Sequence, residues 1–159
     1  VDYAHCVGCG RCLGACNFDA ISFAEPNASE MLSKRIAEYT KAVVDGRPSF
    51  HISLVMDVSP LCDCYQENDV PIIPDVGMFA SFDPVALDWA CADACQKQHP
   101  SPGGVLYRNL HTPGFVDRKD HFKNCNPDSE WKAGLEHAEK IGLGSSDYEL
   151  VPVACAESV

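Results

Sequence analysis

Four cysteines near the start of the chain, Cys6, Cys9, Cys12 and Cys16, are spaced C-x2-C-x2-C-x3-C. Three thiolates on so tight a loop can each reach a different iron of one cubane cluster, and this spacing is the one that holds such clusters in small bacterial electron carriers. Gly8 and Gly10 let the backbone curl and bring N–H groups near the sulfurs with no Cβ in the way. Those N–H groups offset the negative charge of the cluster. A 4Fe-4S cluster on Cys6, Cys9, Cys12 and Cys16 is therefore the first chemistry expected. Zinc ordinarily draws two close pairs separated by a longer insert. Disulfides within the run would close very short, strained loops. The cluster suits the spacing best, with loss or replacement by zinc expected in an aerobically prepared fragment.

A second group, Cys62-Asp63-Cys64, follows an apolar run and Pro60. In an extended segment both thiols point to one side. Three readings stay open: metal or cluster ligands at Cys62 and Cys64, a redox dithiol strained by its single intervening residue, or no role. Cys91 and Cys95 fall four apart in a helical pattern and read as small core residues. His99, His111, His121 and Cys125 fall in a segment read as a solvated loop. Asp57, Asp75 and Asp83 sit near expected strand ends, where caps and turns are the first reading. No nucleophile elbow, phosphate loop or zinc-protease helix is present, so the catalytic residues are unknown.

The 159 residues carry a formal net charge of −11. That field repels polyanions, which argues against nucleic acid, and it suits docking to a basic redox partner protein. No apolar stretch is long enough to span a bilayer, and no basic leader precedes an apolar stretch at the start of the sequence, so no membrane association is expected. Ten cysteines without a secretory context point to a reducing cytoplasm.

The elements that would position these groups are expected as follows. Ile21 and Phe23 alternate as a short strand. A helix starts at Asn27, whose spacing to Glu30 is that of a capping box, and stops at Gly46, with Leu32, Ile36, Tyr39 and Val43 as its buried stripe. Residues 50–58 form a strand covered on both sides, and 70–73 a second, short one. Asp83 caps a helix that begins at Pro84 and runs to about Lys97. Residues 99–127 are a long loop with little regular structure. A last helix runs from about Ser129 to Ile141, with Gly142 as its stop, and 148–153 is strand-like. The fold class expected is α/β, with α+β as the variant: a short ferredoxin-like 4Fe-4S segment over 1–25, then a module over 26–159 built of a small sheet and about three packing helices.

Asn17 stands where ferredoxins carry proline after the last cysteine of the run. The order of the segments goes further. The ferredoxin-type run is followed by Ala37–Val43, Pro60-Leu61-Cys62-Asp63-Cys64, the segment Pro74–Ser81, Asp83-Pro84-Val85-Ala86-Leu87-Asp88, and Gly134–Ser145. In this order they resemble the C-terminal part of iron–sulfur proteins catalogued as domain of unknown function 362. The resemblance implies cluster binding at Cys6, Cys9, Cys12 and Cys16 and includes the Cys62/Cys64 pair. It implies no reaction. Because members of that family carry two ferredoxin motifs between α/β segments, the chain is expected to be a fragment that begins inside the insert. Whether Cys16 serves the same cluster as Cys6, Cys9 and Cys12 is left open. The expected function is electron transfer through a low-potential cluster. The rivals are a redox enzyme with its substrate on the α/β module, and a metal-binding scaffold without catalysis.

Overall fold

The computed structural model describes residues 2, 4–6, 11–18, 20–21, 28–62 and 69–153. In chain order these form α1 (Arg11–Ala15), α2 (Ala28–Val44), β1 (His51–Val55), β2 (Gly77–Ser81), α3 (Pro84–Gln96), α4 (Val105–Leu110), α5 (His121–Cys125) and α6 (Trp131–Lys140). The result is a mixed α/β arrangement of helices around a small two-stranded antiparallel sheet.

The centre is α3, whose start the sequence marks. Pro84 occupies the first turn, and the Asp83 carboxylate accepts hydrogen bonds at Oδ1 from Val85 N at 2.8 Å and Ala86 N at 3.0 Å. Its other oxygen accepts from Ser145 N at 2.9 Å, so one side chain caps the helix and anchors the turn after α6. Nearly every face of α3 is apolar. Leu87, Cys91 and Cys95 join Val55, Ile72, Ile73 and Leu106 in the main core, while Val85 joins Ala37 and Ala138 in a second one against α2 and α6. Side chains as fully enclosed as Ile72 and Leu106 contribute about 1.5–3 kcal/mol each by leaving water.

Helices α2 and α6 pack closely because Gly134 has no side chain: a Cβ there would come within 3.1 Å of the Ser33 Cβ. His137 Nε2 lies 3.1 Å from Glu38 Oε1 across this contact. Helix α6 ends as expected at Gly142, in the left-handed region with φ +72°. Leu143 N and Gly142 N donate to Ala138 O and Glu139 O, each at 2.9 Å, a Schellman closure.

Several expectations are corrected. Residues 70–73 form no strand: Pro71 and Pro74 cannot donate to a ladder, and the second strand is β2, antiparallel to β1 with Ser53 opposite Phe79 and Leu54 opposite Met78. Ile72 and Ile73 still enter the core, and the return of the chain is fixed by Ile72 N donating to Val58 O and Val76 N to Val55 O, both at 2.8 Å. Strand β1 is not covered on both sides. Val55 packs on α3, whereas Ile52, Leu54 and Met56 face out, with Met78 of β2 and the neighbouring pair Phe50 and Phe82 also exposed. The α2 stripe is likewise turned outward: Leu32, Ile36, Tyr39 and Val43 are exposed, and Ala37 is the helix's buried residue.

The segment 99–127 is not an irregular loop, since α4 and α5 lie in it. Asp120 organises it. Its carboxylate accepts from Lys123 N at 3.0 Å, capping α5, from Trp131 Nε1 at 3.0 Å and from Gln96 Nε2 at 3.2 Å. Burial raises the pKa of this carboxyl, but those three hydrogen bonds outweigh it and leave the group more acidic than usual. Residues 148–153 form no strand, and Leu150, Val151 and Val153 are exposed. The proposed strand through Phe23, the Asn27 cap and the 25/26 boundary lie outside the described residues. Among the described residues, no helix is long and apolar enough to cross a membrane.

A Cβ at residue 144 would collide with the Asp83 carboxylate. Asp83→Ala should cost about 1–2 kcal/mol, Gly144→Ala should also destabilise, and the double variant should lose less than the sum, because removing the carboxylate removes the collision. Urea unfolding of the four proteins measures this coupling.

Candidate metal centre

Asp2 sets the approach to the cysteine run. Its carboxylate accepts from Ala4 N at 3.0 Å and lies 2.9 Å from His5 Nδ1, and its carbonyl accepts from His5 N, making a turn that ends at Cys6. Helix α1 follows. It places Cys12 and Cys16 one turn apart, with Cys16 N closing onto Leu13 O at 3.3 Å. Cys6 and Cys12 are exposed and Cys16 is half-buried.

The chain then folds back under Cys16. Backbone N–H groups of Phe18 and Ala20, and to a lesser degree Ile21, hydrogen-bond to its sulfur and hold its pKa below the ordinary thiol value, against a small opposing effect of burial. This donor set suits a thiolate, the form that ligates metal. Cys9, Gly8 and Gly10 lie outside the described residues. Among the described residues, no group of three or more His, Cys, Asp or Glu side chains is arranged to hold a metal ion. The fit to an iron–sulfur cluster therefore rests on donor chemistry: soft sulfur ligands, solvent access at Cys6 and Cys12, and a hydrogen-bonded sulfur at Cys16. Cys62 is exposed beyond the Ser59 turn, where Ser59 Oγ donates to Leu61 O at 2.6 Å, and Cys64 lies outside the described residues.

The remaining described cysteines have a different character. Cys91 and Cys95 are buried on α3, as expected. Desolvation pushes both thiols up, Cys91 against a hydrogen bond with Ser53 and Cys95 to about 11. Cys125 is a correction to the solvated-loop reading: it packs against the main core, and burial raises it to about 11. His121 is held at the same place, its Nε2 2.9 Å from Gln98 O and its N–H donating to Gln96 Oε1 at 2.7 Å. The aspartates are structural. Asp75 Oδ1 accepts from Asp57 N at 3.0 Å, stabilising a residue at φ +49°, and Asp83 is the α3 cap.

Asp88 carries a signal that the sequence reading missed. It is open to solvent on α3, yet desolvation by the surrounding protein raises its pKa, partly offset by His51. A cavity of about 210 Å³ lined by Ile36, Thr40 and Leu135 and another of about 390 Å³ lined by Leu54, Cys91 and Leu135 both reach it. The readable signal was an acid one turn before a buried cysteine on a mostly apolar helix.

A mixed α/β protein with a cysteine-rich lead segment is the class these features define. The family model described as Domain of unknown function (DUF362) matches residues 6–93, from the first cysteine of the run to the last turn of α3. The chain belongs to that family. No curated protein and no solved structure matches it.

Alkylation of the reduced, metal-free protein at pH 8 should label Cys6, Cys12 and Cys16 and spare Cys95 and Cys125. A thiol at about 11 is ionised there only on the order of one part in a thousand, besides being enclosed. Peptide mapping by mass spectrometry reads the pattern, and denaturant should abolish the protection.

Proposed function

We propose that this protein binds a 4Fe-4S cluster through Cys6, Cys9, Cys12 and Cys16 and serves in electron transfer. The observation that carries the reading is the C-x2-C-x2-C-x3-C run, whose spacing is that of cubane ligands, supported by the backbone N–H groups of Phe18 and Ala20 that hold the Cys16 thiol below its ordinary pKa. Bound there, a cluster supplies one-electron chemistry at low potential. The chain's own part is to present four thiolates on one loop, to offset their charge with N–H groups and to leave Cys6 and Cys12 accessible to a partner. The net charge of −11 favours a basic redox partner. Unbridged thiols at Cys6, Cys12 and Cys16 suit a reducing, cytoplasmic setting. The lead segment is then a ferredoxin-like unit, with Cys62 and Cys64 as secondary ligand candidates on the α/β module.

The test is anaerobic reconstitution with ferrous iron and sulfide. About four irons and four sulfides per chain are expected. Cys12→Ala should lower both counts by more than half. Cys91→Ala and the double variant Cys62→Ala/Cys64→Ala should leave them unchanged. Full occupancy in Cys12→Ala would contradict the ligand set, and a loss in the Cys62/Cys64 variant would move that pair into it.

A further inference from the structure

The larger of the two cavities at Asp88, about 390 Å³, is a groove laid along α3. Asp88, Cys91, Ala92 and Cys95 recur at i, i+3, i+4 and i+7 and form its floor. Seven residues of helix give that floor a length of about 10 Å. Ser53 and Val55, on the inward side of β1, make one wall, and Trp131 and Leu135, one turn apart on α6, stand in the other. The volume falls within the range of small-molecule sites, which are mostly apolar with a few fixed polar groups.

The polar groups of this groove are accounted for, with one exception. Ser53 hydrogen-bonds the Cys91 thiol, and Trp131 gives its N–H to Asp120 at 3.0 Å. The Asp88 carboxylate makes no hydrogen bond or ion pair with the described residues, and His51 on β1 acts on it only at a distance. Asp88 is reached by water and yet desolvated by the protein around it, a combination that belongs to the end of a concavity. A carboxylate so placed is stabilised by a cation that enters the groove with it.

The chemistry of the walls says which cation. A metal ion needs several donors, and among the described residues no group of three His, Cys, Asp or Glu side chains is arranged to hold one. Beyond Asp88 the groove offers Val55, Val58, Ala92 and Phe122, which reward an apolar body rather than a hydrated ion.

We propose that this groove binds an organic ammonium ion, its charged head on the Asp88 carboxylate and its apolar body laid along α3 towards Cys95. The site is separate from the cysteine run, and its occupancy does not depend on a cluster there. One charge at one end fixes the direction in which the ligand lies. A neutral ligand of the same shape gains the apolar contact alone, and an anion is repelled.

Titration of the reduced full chain with hexylamine, hexanol and hexanoate at pH 8, followed by amide chemical shifts, tests the proposal. Hexylamine should bind saturably, with millimolar affinity or tighter, and its shifts should centre on Ser53, Asp88 and Cys91. Hexanol should bind roughly tenfold more weakly, as expected on losing one charge-assisted contact at a water-accessible site, and hexanoate should not bind. Asp88→Asn should lower the affinity for hexylamine to that for hexanol and leave hexanol unchanged. The comparison of amine with alcohol needs no variant, so it holds even where a substitution harms folding. Equal affinity for amine and alcohol, an affinity for hexylamine unchanged by Asp88→Asn, shifts centred outside the groove, or no saturable response to hexylamine would each overturn the proposal.

Discussion

One carboxylate holds the two halves of the described fold together. Asp83 closes the N-terminus of α3 with one oxygen and binds the turn after α6 with the other. The first bond fixes where α3 begins and therefore which residues face the sheet and which face α2 and α6. The second fixes how α6 returns to α3, and α6 in turn seats α2 through the gap at Gly134. Asp120 repeats the device at the other end of α3, drawing Gln96, α5 and Trp131 to one point. Between these two anchors α3 needs little beyond apolar faces, and that is what its sequence supplies.

Features decided within a few residues were legible in advance. The Asp83-Pro84 start, the Gly142 stop, the location of α2 and the core character of Cys91 and Cys95 all follow from caps, φ values and local pattern. Features decided by distant partners were not. Nothing local says that the stripe Leu32, Ile36, Tyr39, Val43 faces out, because periodicity reports an apolar face and not what covers it. The apolar side of β1 was misread for the same reason. The helices within 99–127 escaped because Asp120 and His121 are secured by Gln96 and Gln98, more than twenty residues away. Of the candidate site, the proposed ligand set comes from spacing alone, whereas the N–H groups beneath Cys16 depend on where Phe18, Ala20 and Ile21 lie.

The protein keeps two kinds of cysteine apart. Those on α3 and α5 serve as small apolar side chains, and burial suppresses their ionisation. Of the described ones near the start of the chain, Cys6 and Cys12 are exposed and Cys16 is half-buried, with backbone donors that favour its thiolate. This division lets one chain carry reactive and inert thiols in the same compartment, and it confines the proposed redox chemistry to the lead segment while the α/β module supplies the acidic and apolar surfaces.

The central claim is that the four-cysteine run holds a redox-active cluster. Electron paramagnetic resonance of the anaerobically reconstituted protein, taken through repeated dithionite reduction and reoxidation with iron counted at each stage, addresses it most directly. The account predicts a one-electron signal that returns in each reduced state with no loss of iron. Zinc without sulfide, or a signal that vanishes as iron is released on the first cycle, would contradict it.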